Sequence, residues 1–266
     1  MTIAAVMQRS TAPLARRNPV AKLVAATVFA VGILFTLDPL TPALAIAAEL
    51  VLLPLFGVRY RTLLRRGWPL LLSVFGVVLT TILFGADRGG ETVFGLGPLD
   101  VTTGVLAVAL GLALRLVALA LPGIMVFTTT DPTDLADALV QNAKAPARFA
   151  IGTLAAFRLV PLLGQEWQAL RMARRARGID AGGNPVAAAR LFASTLFALL
   201  VGAIRRGTRL ATAMDARGFD SGVSRTHARE QRFTRADWVF VLGAVLLTGA
   251  ILTVSIATDT FRPVLG

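Results

Sequence analysis

Residues Ala173–Asp180 read A-R-R-A-R-G-I-D, and residues Ala213–Asp220 read A-M-D-A-R-G-F-D, 40 positions further on. The shared frame is A-x-x-A-R-G-apolar-D, and each copy closes a long helical pattern. Gly178 and Gly218 can adopt the left-handed conformation that stops a helix. Arg177 and Arg217 then fall in the last turn, where unpaired carbonyls favour a cation. Ala176 and Ala216 keep each terminus slim, so another surface can approach. A guanidinium there offers a planar fork of donors that matches a carboxylate. A Gly cap explains the Arg–Gly pair at one end; it does not explain the same flanking Ala and Asp at both.

Outward from the two copies, helical patterns extend over Pro146–Arg177, with Pro161 inside, and over Asn184–Arg217, with Asn184 as N-cap and Pro185 in the first turn. Each has room for roughly 45–50 Å of helix. The rest of the chain is apolar. Of 266 residues, 55% are hydrophobic, and the mean hydropathy is +0.71, which points to a membrane protein. With no cysteine, disulfides and thiolate chemistry are excluded, and a single histidine, His227, argues against a His-rich metal site. The 27 basic residues are almost all Arg, with Lys22 and Lys144 the exceptions.

Five segments have spanning length: Val20–Leu37, Leu40–Val58, Trp68–Ala86, Val101–Thr128 and Trp238–Ala257. The N-terminal lead, with Arg9, Arg16, Arg17 and Lys22, carries no acid and no signal peptide is expected. Gly57–Gly67 holds Arg59, Arg61, Arg65 and Arg66, whereas Gly85–Asp100 holds Asp87, Glu91 and Asp100 against Arg88. The positive-inside rule therefore predicts a multi-pass protein of the cell membrane, N-terminus cytoplasmic and C-terminus outside. Residues 1–130 form a membrane domain with four helices, 131–235 a cytoplasmic coupling domain with three helices, and 236–266 the last span. The predicted fold class is all-α. Crossings by the two long patterns are rejected because they would put Arg171, Arg174, Arg175 and Arg177 outside.

Asp131–Arg235 holds 16 basic and 8 acidic residues. It opens on T-D-P-T-D-L-A-D-A-L, in which Asp131 is a predicted N-cap, Pro132 the first helical residue, and Asp134 and Asp137 complements to the helix dipole. The same three acids are the basis of an alternative, a membrane-embedded enzyme with a metal clamp, although no second acidic cluster completes such a site. Glu49 and Arg115, near the middles of the second and fourth spans, are predicted to pair, since intramembrane charges are costly alone. They are also the basis of a second alternative, a stand-alone secondary carrier.

Paired Ala-Arg-Gly motifs at the ends of two long helices resemble the transmembrane T component of energy-coupling factor (ECF) importers, the EcfT/CbiQ-like family of vitamin and metal-ion transporters. The likeness extends to Asn18-Pro19-Val20-Ala21-Lys22-Leu23, to Thr128-Thr129-Thr130-Asp131-Pro132 through Leu139, and to Arg158-x-x-Pro161-x-Leu163. It implies a scaffold joining two ABC-type ATPases, or one fused pair, to a substrate-binding S component. By that resemblance Ala176, Arg177, Gly178, Ala216, Arg217 and Gly218 would be the ATPase contacts. It also implies that this chain binds no cofactor, ATP and magnesium belonging to the partner subunits. The chain has no G-x-x-x-x-G-K-[ST] phosphate loop, so transport work would draw its energy from a partner. Lipid is an expected partner of the basic region; nucleic acid is not, because aromatic interleaving is absent.

Overall fold

The structure, a computed structural model, describes residues 13–36, 38–58, 60–85, 89–96, 99–219 and 229–260. Arg9, Leu37, Arg59, Ala86, Asp87, Arg88, Asp220 and His227, all used above, lie outside the described residues. Eight α-helices are described: α1 (Pro19–Leu34), α2 (Leu40–Leu55), α3 (Tyr60–Phe84), α4 (Thr103–Thr129), α5 (Pro132–Asn142), α6 (Ala147–Ala176), α7 (Pro185–Ala216) and α8 (Arg235–Ala257). The acidic loop before α4 adds an antiparallel hairpin, β1 (Thr92–Leu96) with β2 (Leu99–Thr102), so the fold is helical with one small ribbon. The all-α expectation did not include that ribbon.

Contacts group the chain into two compact units, one made of Thr2–Lys144 with Gln231–Gly266 and the other of Ala145–Glu230. In the first unit the five expected spans form one bundle. Helix α4 packs against α1, α2 and α3, and α1 packs along α8. Helix–helix association in lipid relies on close packing rather than on the hydrophobic effect, and small residues permit it. Accordingly Ala109, Ala113 and Ala118 of α4, Ala21 and Ala25 of α1 and Ala45 of α2 are buried. At Gly32 a Cβ would come within 2.1 Å of the Thr248 methyl group, so only glycine lets α1 and α8 approach this closely. Phe29, Ile33, Ala45, Ala118 and Ile251 fill the centre of the bundle.

Polar residues tie the two ends of the bundle. At the end where α1 begins, the Asn18 side chain caps α1 by accepting from Val20 N–H at 2.9 Å, and Asn18 N–H donates to Asp237 of α8 at 3.0 Å. Asp237 also accepts from the Thr234 N–H at 2.9 Å and the Thr234 hydroxyl at 2.6 Å. Lys22, 2% exposed, donates to the Thr129 carbonyl at the close of α4 at 3.0 Å. Leu14 N–H meets the Phe56 carbonyl just past α2 at the same end. At the opposite end Asp38 accepts from the Thr41 N–H and hydroxyl, each at 2.8 Å, and from the Ser255 hydroxyl at 3.0 Å. Helices α1 and α8 therefore run parallel, and α2 and α4 alternate with α1 in direction. The segments read as cytoplasmic that adjoin this bundle (residues 13–18, 57–58, 130–132 and 231–234) come together at one end of it.

Two features differ from the sequence reading. Helices α1 and α2 have 16 residues each, a rise of about 24 Å, which is less than the ~30 Å hydrocarbon thickness. By length and composition α3, α4, α6, α7 and α8 are the helices able to cross a membrane. Helix α5, grouped above with the cytoplasmic helices, packs on α1, and its Gln141 accepts from Gln231 N–H at 2.8 Å.

Candidate functional site

Helices α6 and α7 finish in the same way. Arg177 is the C-cap of α6 with φ −92°, and Arg217 is the C-cap of α7 with φ −90°. Gly178 and Gly218 follow at φ +73° and +69°, the left-handed region where a Cβ is strained. Ile179 N–H bonds to the Arg174 carbonyl and Gly178 N–H to that of Arg175; Phe219 N–H bonds to the Met214 carbonyl and Gly218 N–H to that of Asp215. Each pair is a Schellman closure, which satisfies the last orphan carbonyls. Ala176, Arg177, Gly178, Ala216, Arg217 and Gly218 are all exposed. Among the described residues neither the Arg177 nor the Arg217 guanidinium has a partner in a hydrogen bond or ion pair.

What holds the two ends is a helical hairpin. Arg174 donates from one nitrogen to the Leu191 carbonyl at 3.0 Å and to the Ser194 and Thr195 hydroxyls at 2.7 Å each. Glu166 forms an ion pair with Arg206. Residue pairs 174/195 and 166/206 set α6 and α7 antiparallel, so Arg177 and Arg217 stand at opposite ends of the hairpin. That register sets Arg177 level with residues 192–195 of α7, so the two ends are about 35 Å apart along the axis. Arg174 lies within the first copy, at a position the shared frame leaves variable; its role in holding the hairpin needs the partner helix to be known.

The remaining sequence candidates separate. Asp131 caps α5, accepting from Thr133 N–H at 2.7 Å, while Asp134 and Asp137 lie half-buried along its first turns. Asn184 caps α7 through Val186 N–H at 2.9 Å. Glu49 and Arg115 do not pair. The Arg115 guanidinium donates to the carbonyl of Leu34, the last residue of α1, where helix carbonyls lack intrahelical partners and attract a cation. Glu49 instead faces Pro122, Met125 and Val126, two to three turns further along α4, and its carboxyl oxygens have no hydrogen-bond partner. Outside the spans, Asp38 shows the clearest electrostatic bias. Burial, the largest influence, pushes its pKa up, but hydrogen bonds from Thr41 and Ser255 outweigh it and hold the carboxyl below its ordinary range.

The described helices, five of them long and apolar enough to cross a membrane, define a helical, multi-pass membrane protein. Comparison with known proteins supplies the family. The profile of CbiQ, described as cobalt transport protein, matches residues 10–228. The energy-coupling factor transporter transmembrane protein EcfT of Thermosediminibacter oceani is 32% identical over 90% of this chain and 92% of its own length. The protein of that name from Lacticaseibacillus paracasei is 31% identical over 89% of this chain and 92% of its own length, and that from Streptococcus equi subsp. equi 28% identical over 87% and 88%. The chain belongs to this family: it is a T component, the transmembrane subunit of an ECF-type transporter.

Proposed function

We propose that the chain couples ATP-driven motion of two ABC-type ATPases, or one fused pair, to a substrate-binding S component, and that it has no catalytic site of its own. ATP and magnesium then belong to the partners. The observation that carries this reading is the pair of helix ends closed by the same hydrogen bonds, each with an exposed, uncommitted guanidinium, at opposite ends of one hairpin. Two like ends pointing to two places suit two like partners. The basic end of the bundle, where α1 and α8 begin and α4 ends, is taken as cytoplasmic, with the β1–β2 hairpin outside. The imported substrate would be chosen by the S component.

Each Arg, docked by a fork-to-carboxylate contact, would contribute about 1.5–3 kcal/mol. Losing one contact weakens that end roughly ten- to a hundredfold, while the second end still tethers the ATPase pair. Arg177→Ala and Arg217→Ala singly should retain assembly but transport poorly, and the double variant should fail to co-purify with the ATPases. Arg→Lys at either position should behave as a loss. Full assembly and uptake in the double Ala variant would reduce both ends to ordinary helix caps. A reporter in Gly178–Gly183 labelled from outside intact cells would overturn the topology.

A further inference from the structure

The bundle holds a cavity of about 350 Å³ between α1, α2, α4 and α8, within its half nearer the start of α1. Its walls are apolar (Ala25, Phe29, Leu52, Met125 and Leu247 among them) and an edge-to-face pair, Phe56 with Phe240 at 5.7 Å, lines one end. Two ionisable residues belong to the wall. Lys22 is committed to the Thr129 carbonyl, but Glu49, 4% exposed, has both carboxyl oxygens buried without a hydrogen-bond partner. A buried polar group left unmatched is expensive, and native folds seldom keep one without a use. Helix α8 supplies the way in. Gly243 is the exposed member of the wall, and a Cβ there would meet nothing within 4 Å.

We propose that this cavity is a binding site for a single-chain amphiphile whose head donates a hydrogen bond, an aliphatic alcohol or primary amine, with the head on Glu49 and the chain among the apolar walls. The volume lies at the lower end of the range for small-molecule pockets and suits one chain rather than two. From Lys22 to Phe29 the wall on α1 runs about 10 Å, a length that fits a short alkyl chain. A carboxylate head would bring a full negative charge into an apolar cavity and cannot donate to either carboxyl oxygen. Entry past Gly243 lies along α8, a helix apolar enough to face hydrocarbon. Neither Arg–Gly end takes part, so the site is independent of ATPase docking.

The test uses the full chain in lipid nanodiscs, with n-octylamine, n-octanol and n-octanoate as probes. Two signals are read: saturable binding, and the infrared difference band of the Glu49 carboxyl, assigned by its loss in Glu49→Leu. The amine or the alcohol should saturate and shift the band, and octanoate should do neither. Saturation by the amine alone assigns a cationic head; saturation by both assigns a neutral donor as sufficient. Glu49→Leu should weaken binding roughly tenfold or more. Gly243→Leu should abolish saturable binding, and that binding readout decides the matter even if Glu49→Leu fails to fold. Equal binding of octanoate, affinity within about twofold in Glu49→Leu, or a band that none of the probes moves would overturn the proposal and leave an apolar or water-filled void.

Discussion

Asp237 is the residue whose removal should most disturb the membrane bundle. It is 2% exposed and accepts from Asn18 N–H on one oxygen and from the Thr234 N–H and hydroxyl on the other. Changing it to Ala strands the buried Asn18 N–H outright, whereas the exposed Thr234 can recover water. A stranded buried donor costs about 1–3 kcal/mol, and a hydrogen bond to a charged acceptor contributes about 1.5–3 kcal/mol. Asp237→Ala should therefore destabilise by about 2–4 kcal/mol, and Asp237→Asn, which keeps one acceptor oxygen, by about half as much. Denaturation of the purified chain in detergent measures both. A cycle with Thr234→Val isolates the 2.6 Å contact, which should show a coupling of about 1 kcal/mol. A cost below about 0.5 kcal/mol for Asp237→Ala would mean the α1–α8 junction is held by packing alone and would refute the hydrogen-bond account.

Lys22→Met should cost about 1.5–3 kcal/mol in the same assay, because it removes the charged donor from the Thr129 carbonyl while keeping the side chain's length. Asp38 makes stability fall in acid. Its folded-state pKa lies below the unfolded value, so its contribution is complete above the unfolded carboxylate range and is lost as pH falls through the folded value. Stability measured against pH should accordingly show a shallower acid limb in Asp38→Asn than in the parent. Gly178→Ala and Gly218→Ala place a Cβ at φ +73° and +69°, a strain of about 1–2 kcal/mol. Amide exchange at Ile179 and Phe219 should speed up in the corresponding variant, and unchanged exchange would remove the Schellman argument.

What was legible from sequence was local. The caps at Asn184 and Asp131 and the two Arg–Gly closures are set by residues within a few positions of each other, so pattern alone finds them. Thr234-x-x-Asp237 was equally readable as a capping box, yet its bond to Asn18 joins residues 219 positions apart and needs the fold. The Glu49–Arg115 pairing failed because depth within a span was counted from each helix's own middle. α2 has 16 residues and α4 has 27, so their middles do not coincide, and Arg115 meets the end of α1 first. The β1–β2 ribbon was missed although its strands carry Thr92, Val93, Val101 and Thr102, β-branched residues on either side of Gly97-Pro98. Reading that segment only for charge hid its alternative signal.

Because α6 and α7 run antiparallel, the spacing of the two Arg–Gly ends is a count of residues rather than a matter of loop flexibility. Four residues added within α7 would carry Arg217 about 6 Å further and turn it by about 40°. Arg177, anchored through Arg174 to the start of α7, would stay where it was. A change in helix length in this protein must then be matched by a change in the separation of the surfaces it meets. Insertions are tolerable in the turn at 178–184, and not in the two shafts.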